Sequence, residues 1–231
     1  MPPENEAHPH PTALSDFILG SQDGLVNVLG ILLGLVAAHV DAQIIIVAGL
    51  SALAAESLAM AAVAYTSTAS RLHLYRSERE RELREMHEVP ELEREEVRVI
   101  LRGWGWEGAE LEEELRRIEA KPKAWLDLMM AFELNLSYIP AEAPRRSAFL
   151  VGFATVIGHF VPLIPFFFAT ITTVQAAIIA TILSAITLFG IGIYEARVTS
   201  GSLWRSGVRM TMIGLASGFA GLVLGHFAAM L

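Results

Sequence analysis

The sequence predicts an all-α integral membrane protein, a bundle of five transmembrane helices with a charged helical domain inserted between the second and third spans. Three observations lead to this fold class. Hydrophobic residues make up 53% of the 231-residue chain and charged residues only 18%, which is too apolar for an ordinary soluble domain. Several apolar stretches reach the roughly 20 residues that a bilayer-crossing helix needs. The charged residues are concentrated in one segment between two of these stretches.

Five stretches meet the length requirement for a transmembrane helix. They are residues 17–40, 44–67, 148–169, 173–194 and 208–231. Ser15 or Asp16 is available as N-cap of the first helix. The first two spans are joined by so short a connection that they must form an antiparallel hairpin. The predicted organisation is residues 1–70 with the N-terminal tail and first two spans, an inserted domain at 71–146, and residues 147–231 with the last three spans.

The basic residues predict the orientation of the spans. Of 17 Lys and Arg, 14 lie within residues 71–146, and the other three are Arg197, Arg205 and Arg209. Basic residues mark the cytoplasmic side of a membrane protein, and two spans separate these segments, so we expect both in the cytoplasm. Five crossings then place the N-terminus there too, in a multi-pass protein of the cytoplasmic membrane, or of an organelle if the cell is eukaryotic.

The overall charge and the N-terminal tail exclude or weaken some other roles. A net charge of −8 provides no basic face for nucleic acid. The chain has no Cys, which excludes disulfides and thiolate metal sites. The composition of the Pro-rich tail that contains His8 and His10 predicts disorder there.

Two pairs of glutamates in the inserted segment have helical spacing. Glu82 and Glu85 are three residues apart, as are Glu93 and Glu96, so each pair projects from one face of its helix. Pro90 fits the first turn of a new helix. The break before it allows the two helices to fold back and direct four carboxylates at a shared space.

The last helix of the insert, predicted from Pro122 to about residue 137, carries Met129, Met130 and Glu133 within one turn. Carboxylates suit hard divalent cations and thioethers suit softer ones, so a mixed site would favour a borderline ion such as Fe²⁺ over Ca²⁺ or Mg²⁺. The other interpretation stays open, because Glu-rich helices are commonly solvated faces and helical Met is commonly core. The helix at 107–119 is interpreted as such a solvated face.

Ionisable residues within the spans are candidates for function, because their burial in a bilayer is costly. Three stand out: Asp23, Glu56 and His159. At 1.5 Å per residue from the hairpin between the first two spans, Asp23 lies at a depth of roughly 25 Å, Met60 roughly 27 Å and Glu56 roughly 21 Å. A carboxylate–thioether site in the inner half of the membrane is therefore possible. A structural hydrogen bond is preferred to a transport role for His159, and Glu56 and Met60 could also be structural.

Small and polar residues form one stripe along the first span. Its members are Asp16, Gly20, Asp23, Asn27, Gly30 and Gly34. Such a stripe either packs closely against another helix or lines a wet path. The two uses are compatible in a symmetric dimer whose pore lies at the subunit interface.

Taken with these features, the sequence resembles the vacuolar iron transporter family over nearly its whole length. The carrying motifs are Asp23-Gly-Leu-Val-Asn-Val-Leu-Gly30, Ala55-Glu-Ser-Leu-Ala-Met60 with Tyr65-Thr-Ser67, the Glu-rich insert, Pro162-Leu-Ile-Pro165 and Arg205-Ser-Gly-Val-Arg209. The chain departs from the family pattern at Ala64, where many relatives carry Glu, at Glu56, where many carry Gly or Ala, and at Asn27, where Thr is common.

The resemblance implies a homodimeric five-span transporter that exports Fe²⁺, and secondarily Mn²⁺, from the cytosol by proton antiport. It implies an ion path between the two first spans, lined by residues that match Asp23 and Met60; Asn27 and Glu56 lie beside them. It also implies a cytoplasmic domain that gathers metal. The residues that match its ligands are Glu82, Glu85, Glu93, Glu96, Met129, Met130 and Glu133. Iron is then a substrate, and no cofactor is expected.

Two other classes of function would also use a charged insert on a membrane anchor. A membrane-anchored ferroxidase or metal-dependent hydrolase could use the insert as an active site, but the insert has no Glu-x-x-His pair for a ferritin-type centre, and Asp23 would have no role. A metal-sensing scaffold would bind metal without flux. We expect a transporter and not an enzyme.

Overall fold

A computed structural model describes residues 11–199 and 201–230. The tail that contains His8 and His10 lies outside the described residues. The described elements are α1 (Pro11–Ala37), α2 (Ala42–Glu88), α3 (Pro90–Gly103), α4 (Gly108–Glu119), α5 (Pro122–Leu128), a π-helix (Met129–Glu133), α6 (Ala143–Leu163), a 3₁₀ helix (Ile164–Phe167), α7 (Thr173–Val198) and α8 (Leu203–Ala228). The described ranges contain no strand.

The all-α fold class is confirmed. Five of the described helices, namely α1, α2, α6 with its 3₁₀ extension, α7 and α8, are long and apolar enough to cross a membrane. Along α7, Ile178, Ile182 and Ile186 recur every four residues and are exposed. In a soluble protein such a stripe would be unfavourable, whereas in a bilayer it is the expected lipid-facing surface.

The prediction that Ser15 or Asp16 caps the first helix is wrong. Both residues lie inside α1, which begins at Pro11. Pro is compatible with the first turn of a helix, and none of the next three residues stops one. The apolar pattern locates the segment that can be buried in lipid, whereas backbone hydrogen bonding continues until a residue interrupts it.

Helix α2 is much longer than a membrane span. It runs unbroken for 47 residues from the apolar Ala42 to the charged Glu88. Val89 has φ −135° and ψ 52°, and α3 begins at Pro90. The helix break that the sequence predicts before Pro90 is therefore confirmed. The chain divides into two compact units, one formed by residues up to Thr66 together with Pro144–Leu231, and the other by Ser67–Ala143. Helix α2 contributes to both.

In the first unit, the glycines of the α1 stripe permit close packing within the chain. A Cβ at Gly20 would collide with the carbonyl oxygen of Val151 on α6, and one at Gly34 would lie 3.0 Å from the carbonyl oxygen of Gly221 on α8. Small residues let helix backbones approach in this way. An apolar core that includes Leu29, Leu32 and Leu163 lies beside these contacts.

The second unit has its own apolar core. Val97, Leu101, Leu111, Leu115, Trp125 and Met129 form one cluster, and Tyr75, Leu126 and Met130 form another. The last helix of the insert is shorter than predicted, because its final turn widens into the π-helix and ends at Glu133 rather than near residue 137. Asn135, with φ +53°, adopts the left-handed conformation that commonly follows a helix end.

Candidate metal-transport sites

The first candidate site is a polar group within the apolar helices α1 and α2. Asp23 and Asn27 are one turn apart on α1, and Asn27 Nδ2 donates to Asp23 Oδ1 at 3.2 Å. The same amide nitrogen contacts Oε1 of Glu56 on α2. The structure therefore brings three of the four predicted path residues into one hydrogen-bonded group. Met60 is half-buried one turn beyond Glu56 on α2, and its role remains a prediction.

This polar group lies on the face of α1 that the rest of the first unit leaves uncovered. Asn27 is exposed, Asp23 is half-buried, and the Glu56 side chain is 20% exposed. The neighbouring apolar residues on the same face, Leu19 and Ile31, are 51% and 40% exposed. Carboxylates are thus accessible along a strip that is otherwise apolar.

His159 on α6 completes the group from the buried side. Its ring is fully buried, and Nε2 lies 3.0 Å from Glu56 Oε2, in a contact that lacks the alignment of a hydrogen bond. Nδ1 lies 3.0 Å from the carbonyl oxygen of Thr155. Because a carbonyl can only accept, Nδ1 carries the hydrogen.

The second candidate site is the cluster of glutamates in the second unit. One carboxylate oxygen from each of Glu82, Glu85 and Glu93 lies within 4.8 Å of the other two. Glu82 and Glu93 are only 1% and 2% exposed. Each has an Oε2 that is buried without a hydrogen-bond partner among the described residues. An unpartnered buried carboxylate oxygen is costly, and a divalent cation would offset that cost by coordination.

Burial and mutual repulsion alter the acidity of this cluster. Burial, followed by the nearby charges of Glu96, Glu82 and Glu133, raises the pKa of Glu93 to about 8. Burial and the charges of Glu96 and Glu82 raise the pKa of Glu133 to about 7. The pKa of Glu96 is also raised, first by burial and then by Glu85. At neutral pH the metal-free cluster therefore retains protons, which a bound cation would displace.

One arginine partly balances the glutamates. Arg81 Nε lies 3.3 Å from Glu85, its NH1 2.9 Å from Glu78 and its NH2 3.7 Å from Glu82. The Arg81 side chain is 46% exposed, so these ion pairs are weakened by solvent. They reduce the repulsion in the cluster and leave the buried oxygens of Glu82 and Glu93 without partners.

The two predicted thioether ligands lie in apolar surroundings. Met129 is fully buried beside Trp125, and Met130 is 3% exposed beside Leu126. Both positions are those of ordinary core residues, and their proposed part in metal binding remains a prediction. Together with Glu133 they occupy the π-helix. Such single π-turns are rare and are frequently found at functional sites.

The acidic residues of α4 form a solvated face, as the sequence predicts. Glu112 lies 2.9 Å from Arg98, Glu113 lies 2.8 Å from Arg116, and Glu114 lies 3.4 Å from Arg117. Glu112, Glu113 and Glu114 are 45%, 50% and 30% exposed and lie between the buried Leu111 and Leu115. The α4 glutamates therefore provide a matched set of carboxylates outside the candidate metal site.

Sequence reasoning missed the pairing of His159 with Glu56. It recognised a structural hydrogen bond as the favoured role of His159, and the contact with the Thr155 carbonyl is such a bond. Thr155 precedes His159 by one helical turn, so that contact is local. The contact with Glu56 joins α6 to α2, and nothing in either helix alone indicates how they are rotated toward each other.

Five membrane-length helices that hold carboxylates and a histidine among their apolar residues indicate a multi-span membrane protein with a polar functional site in its spans. A family model described as the VIT family matches residues 14–226. The chain belongs to the VIT family.

Curated relatives agree with this family. The chain is 33% identical to "Vacuolar iron transporter 1" of Eucalyptus grandis over 86% of this chain and 80% of that protein. It is 31% identical to "Vacuolar iron transporter 1" of Arabidopsis thaliana over 90% of this chain and 83% of that protein. The protein of the same name from Oryza sativa subsp. japonica is 32% identical over 89% of this chain and 81% of its own length.

Proposed function

We propose that this protein exports Fe²⁺ from the cytosol in exchange for protons, with Mn²⁺ as a second substrate. The observation that carries the proposal is the hydrogen-bonded group of Asp23, Asn27 and Glu56 within apolar helices. It occurs in a chain whose relatives are named iron transporters. A carboxylate in such a place can hold a metal ion in one step and protons in another.

The metal path follows the uncovered face of α1. Asp23 and Asn27 are accessible there between the exposed Leu19 and Ile31, which would face a second copy in a homodimer. Carboxylate and amide oxygens suit Fe²⁺ and Mn²⁺. Met60, one turn after Glu56, would add a thioether, which favours Fe²⁺ over Ca²⁺ or Mg²⁺.

The insert gathers metal for the path. Glu82, Glu85 and Glu93 offer oxygens within 4.8 Å of one another, and Glu96, Glu133 and the two methionines of the π-helix complete the proposed ligand set. Because protons occupy part of this cluster at neutral pH, metal binding is expected to release them.

The distribution of basic residues supports the proposed placement in the cell. All 17 Lys and Arg fall at residues 71–146 or 197–209, which we therefore place in the cytoplasm with the N-terminus. The relatives are named vacuolar. In a eukaryotic cell an organellar membrane would be the corresponding site, and otherwise the cytoplasmic membrane. In both cases metal leaves the cytosol.

A metal sensor without flux would also use the glutamate cluster, but it leaves the carboxylates of α1 and α2 without a function. The deciding experiment is transport by the purified protein in liposomes, with Fe²⁺, Mn²⁺, Co²⁺, Zn²⁺ and Ca²⁺ supplied in turn and a pH-sensitive dye inside. We expect Fe²⁺ and Mn²⁺ influx accompanied by internal alkalinisation, and neither in protein-free liposomes. Metal binding without influx would overturn the proposal in favour of the sensor.

A further inference from the structure

We propose that His159 is a positioning residue of the transport path, which holds the Glu56 carboxylate in the orientation that joins it to Asn27 and Asp23. This inference rests on the proposed function. It assigns a role to a buried α6 residue that lies behind the path and does not line its accessible face. It also makes α6, with α1 and α2, part of the machinery that sets metal affinity.

The His159 ring is held in place by contacts that do not involve Glu56. It is fully buried, and its Nδ1–H donates to the Thr155 carbonyl oxygen at 3.0 Å. The Thr155 hydroxyl is itself satisfied by the carbonyl oxygen of Val151 at 2.8 Å, so it does not compete for the ring. Nε2 is therefore the only ring nitrogen left for another helix, and it faces Glu56 Oε2 at 3.0 Å.

Helix α1 confines the ring from the other side. A Cβ at Gly24 would lie 2.6 Å from His159 Nδ1, so only glycine allows α1 to approach this closely. The adjacent residue in α1 is Asp23. A shift of the imidazole would therefore disturb the segment of α1 that carries the first path carboxylate.

Glu56 is held at both oxygens. Oε1 contacts the Asn27 amide and Oε2 contacts His159. The Asn27 amide also donates to Asp23, so a chain of contacts runs from the buried face of α6 to the uncovered face of α1. A glutamate side chain has three rotatable bonds, and without Nε2 only one of its oxygens would be anchored. Glu56 would then lose the orientation that supports Asn27 and Asp23.

Transport kinetics test this role in the parent, His159→Leu, Glu56→Gln and the double variant, with two further variants for comparison. Substitution of a residue that orients a metal ligand without binding the metal itself typically lowers metal affinity or activity roughly 10–100-fold. We expect His159→Leu to raise the KM for Mn²⁺ about tenfold, with a smaller fall in maximal rate. His159→Gln, which keeps a side chain that can form hydrogen bonds, should recover part of the loss. His226→Leu, at an exposed position on α8, is the matched control and should leave the KM unchanged.

The double variant separates positioning from general packing. If His159 acts through Glu56, His159→Leu should have little further effect on the KM once Glu56 is Gln. Equal increases in the KM with and without the Glu56 carboxylate would overturn the proposal. If the parent itself moves no metal, the proposed function fails independently of this test.

A spectroscopic arm tests the pairing without transport. In ¹⁵N-imidazole spectra of the full-length protein in detergent, Glu56→Gln should shift the Nε2 resonance of His159, which is identified by its absence in His159→Gln. The resonances of the other six histidines should stay in place. An unmoved His159 resonance would show that the two side chains are not paired, and would overturn the proposal even if the transport variants fold poorly.

Discussion

At the scale of the residue, Asp23 and Asn27 lie one helical turn apart on α1 and are joined by a hydrogen bond. An Asn side chain at position 23 would still present an Oδ1 acceptor to the Asn27 amide, which donates at 3.2 Å. It would remove the negative charge that holds a cation. We therefore expect Asp23→Asn to abolish Fe²⁺ and Mn²⁺ flux while the melting temperature and assembly stay close to those of the parent. Flux into liposomes and size-exclusion chromatography measure the two properties.

The control for this residue is Asp41→Asn. Asp41 is exposed in the connection between α1 and α2, so the same change of charge and shape there should leave flux unaltered. Transport by Asp23→Asn at the parental rate would contradict the proposed path. Because the hydrogen bond to Asn27 is retained, a loss of flux can be attributed to the charge.

At the scale of the element, the start of α3 and the end of the π-helix hold carboxylates whose protonation depends on folding. The pKa of Glu93 is raised from 4.5 to about 8, and that of Glu133 from 4.5 to about 7. A group whose pKa is higher in the folded state stabilises that state below its unfolded pKa, and this contribution is lost as the pH rises through the folded pKa. The metal-free protein should therefore melt at lower temperature at pH 8.5 than at pH 6.

The affinity of the cluster for metal should depend on pH in the opposite direction and increase as the pH rises. Mn²⁺ requires ionised carboxylates, so its affinity should increase between about pH 6 and pH 8, with proton release detectable by calorimetry in buffers of different ionisation enthalpy. The rise in melting temperature caused by Mn²⁺ should grow over the same range. An affinity independent of pH would contradict the raised pKa values or the site itself.

Neutralising the cluster tests its role directly. Changing Glu82, Glu85, Glu93 and Glu96 together to Gln should lower the number of metals bound per subunit, slow transport at low metal concentration, and remove most of the metal-induced rise in melting temperature. Without metal, stability should be equal or slightly higher, because like charges no longer repel. Arg81 loses ion pairs, but for an exposed arginine these are worth only about 0–1 kcal/mol.

The matched control removes four carboxylates at the N-cap of α4 and within it, namely Glu107, Glu110, Glu113 and Glu114, which lie on or beside the solvated face. It changes the net charge equally and should retain metal binding. A sharp fall in the metal-free melting temperature of the cluster variant would indicate instead that its glutamates serve as structural ion-pair partners. Calorimetric stoichiometry and thermal melting with and without Fe²⁺ measure both outcomes.

At the scale of the whole molecule, we propose that the uncovered face of α1 is the contact surface of a homodimer. Leu19 and Ile31 are exposed there, on the same side as Asp23 and Asn27. In the Cys-free background, Leu19→Cys or Ile31→Cys should form a disulfide-linked dimer on mild oxidation in the membrane. Ile186→Cys, on the lipid-facing stripe of α7, is the control. Cross-linking through Ile186 and through neither α1 position would contradict a dimer built on α1.

The orientation of the molecule is tested with the same Cys-free background. Ala109→Cys in α4 and Ser202→Cys before α8 should resist an impermeant thiol reagent in intact cells, and Gln43→Cys in the first turn of α2 should react. The expectation follows from the confinement of all 17 basic residues to two segments. For a protein in an internal membrane, sealed vesicles of known orientation replace the cells. Labelling of Ala109→Cys from the outer side would overturn the topology.

Local features of the sequence determined the number of membrane helices and the break at Val89–Pro90. Hydropathy over about 20 residues and the absence of a proline N–H are properties of a single segment, so no distant contact is needed to read them. Asp23 and Glu56 were also recognisable, because an ionisable residue inside an apolar stretch is conspicuous. The helical period of 3.6 residues even placed Asp23 and Asn27 on one face.

The tertiary structure alone decided which of these residues meet. The rotation and crossing of helices depend on packing between segments far apart in sequence, and this determined that Gly24 lies against α6, that His159 reaches Glu56, and that Met129 and Met130 enter apolar clusters. The burial of Glu82 and Glu93 also results from packing between segments that are apart in the sequence. Spacing along a helix tells which residues share a face, but only the packed bundle decides whether that face meets lipid, a neighbouring helix or an ion.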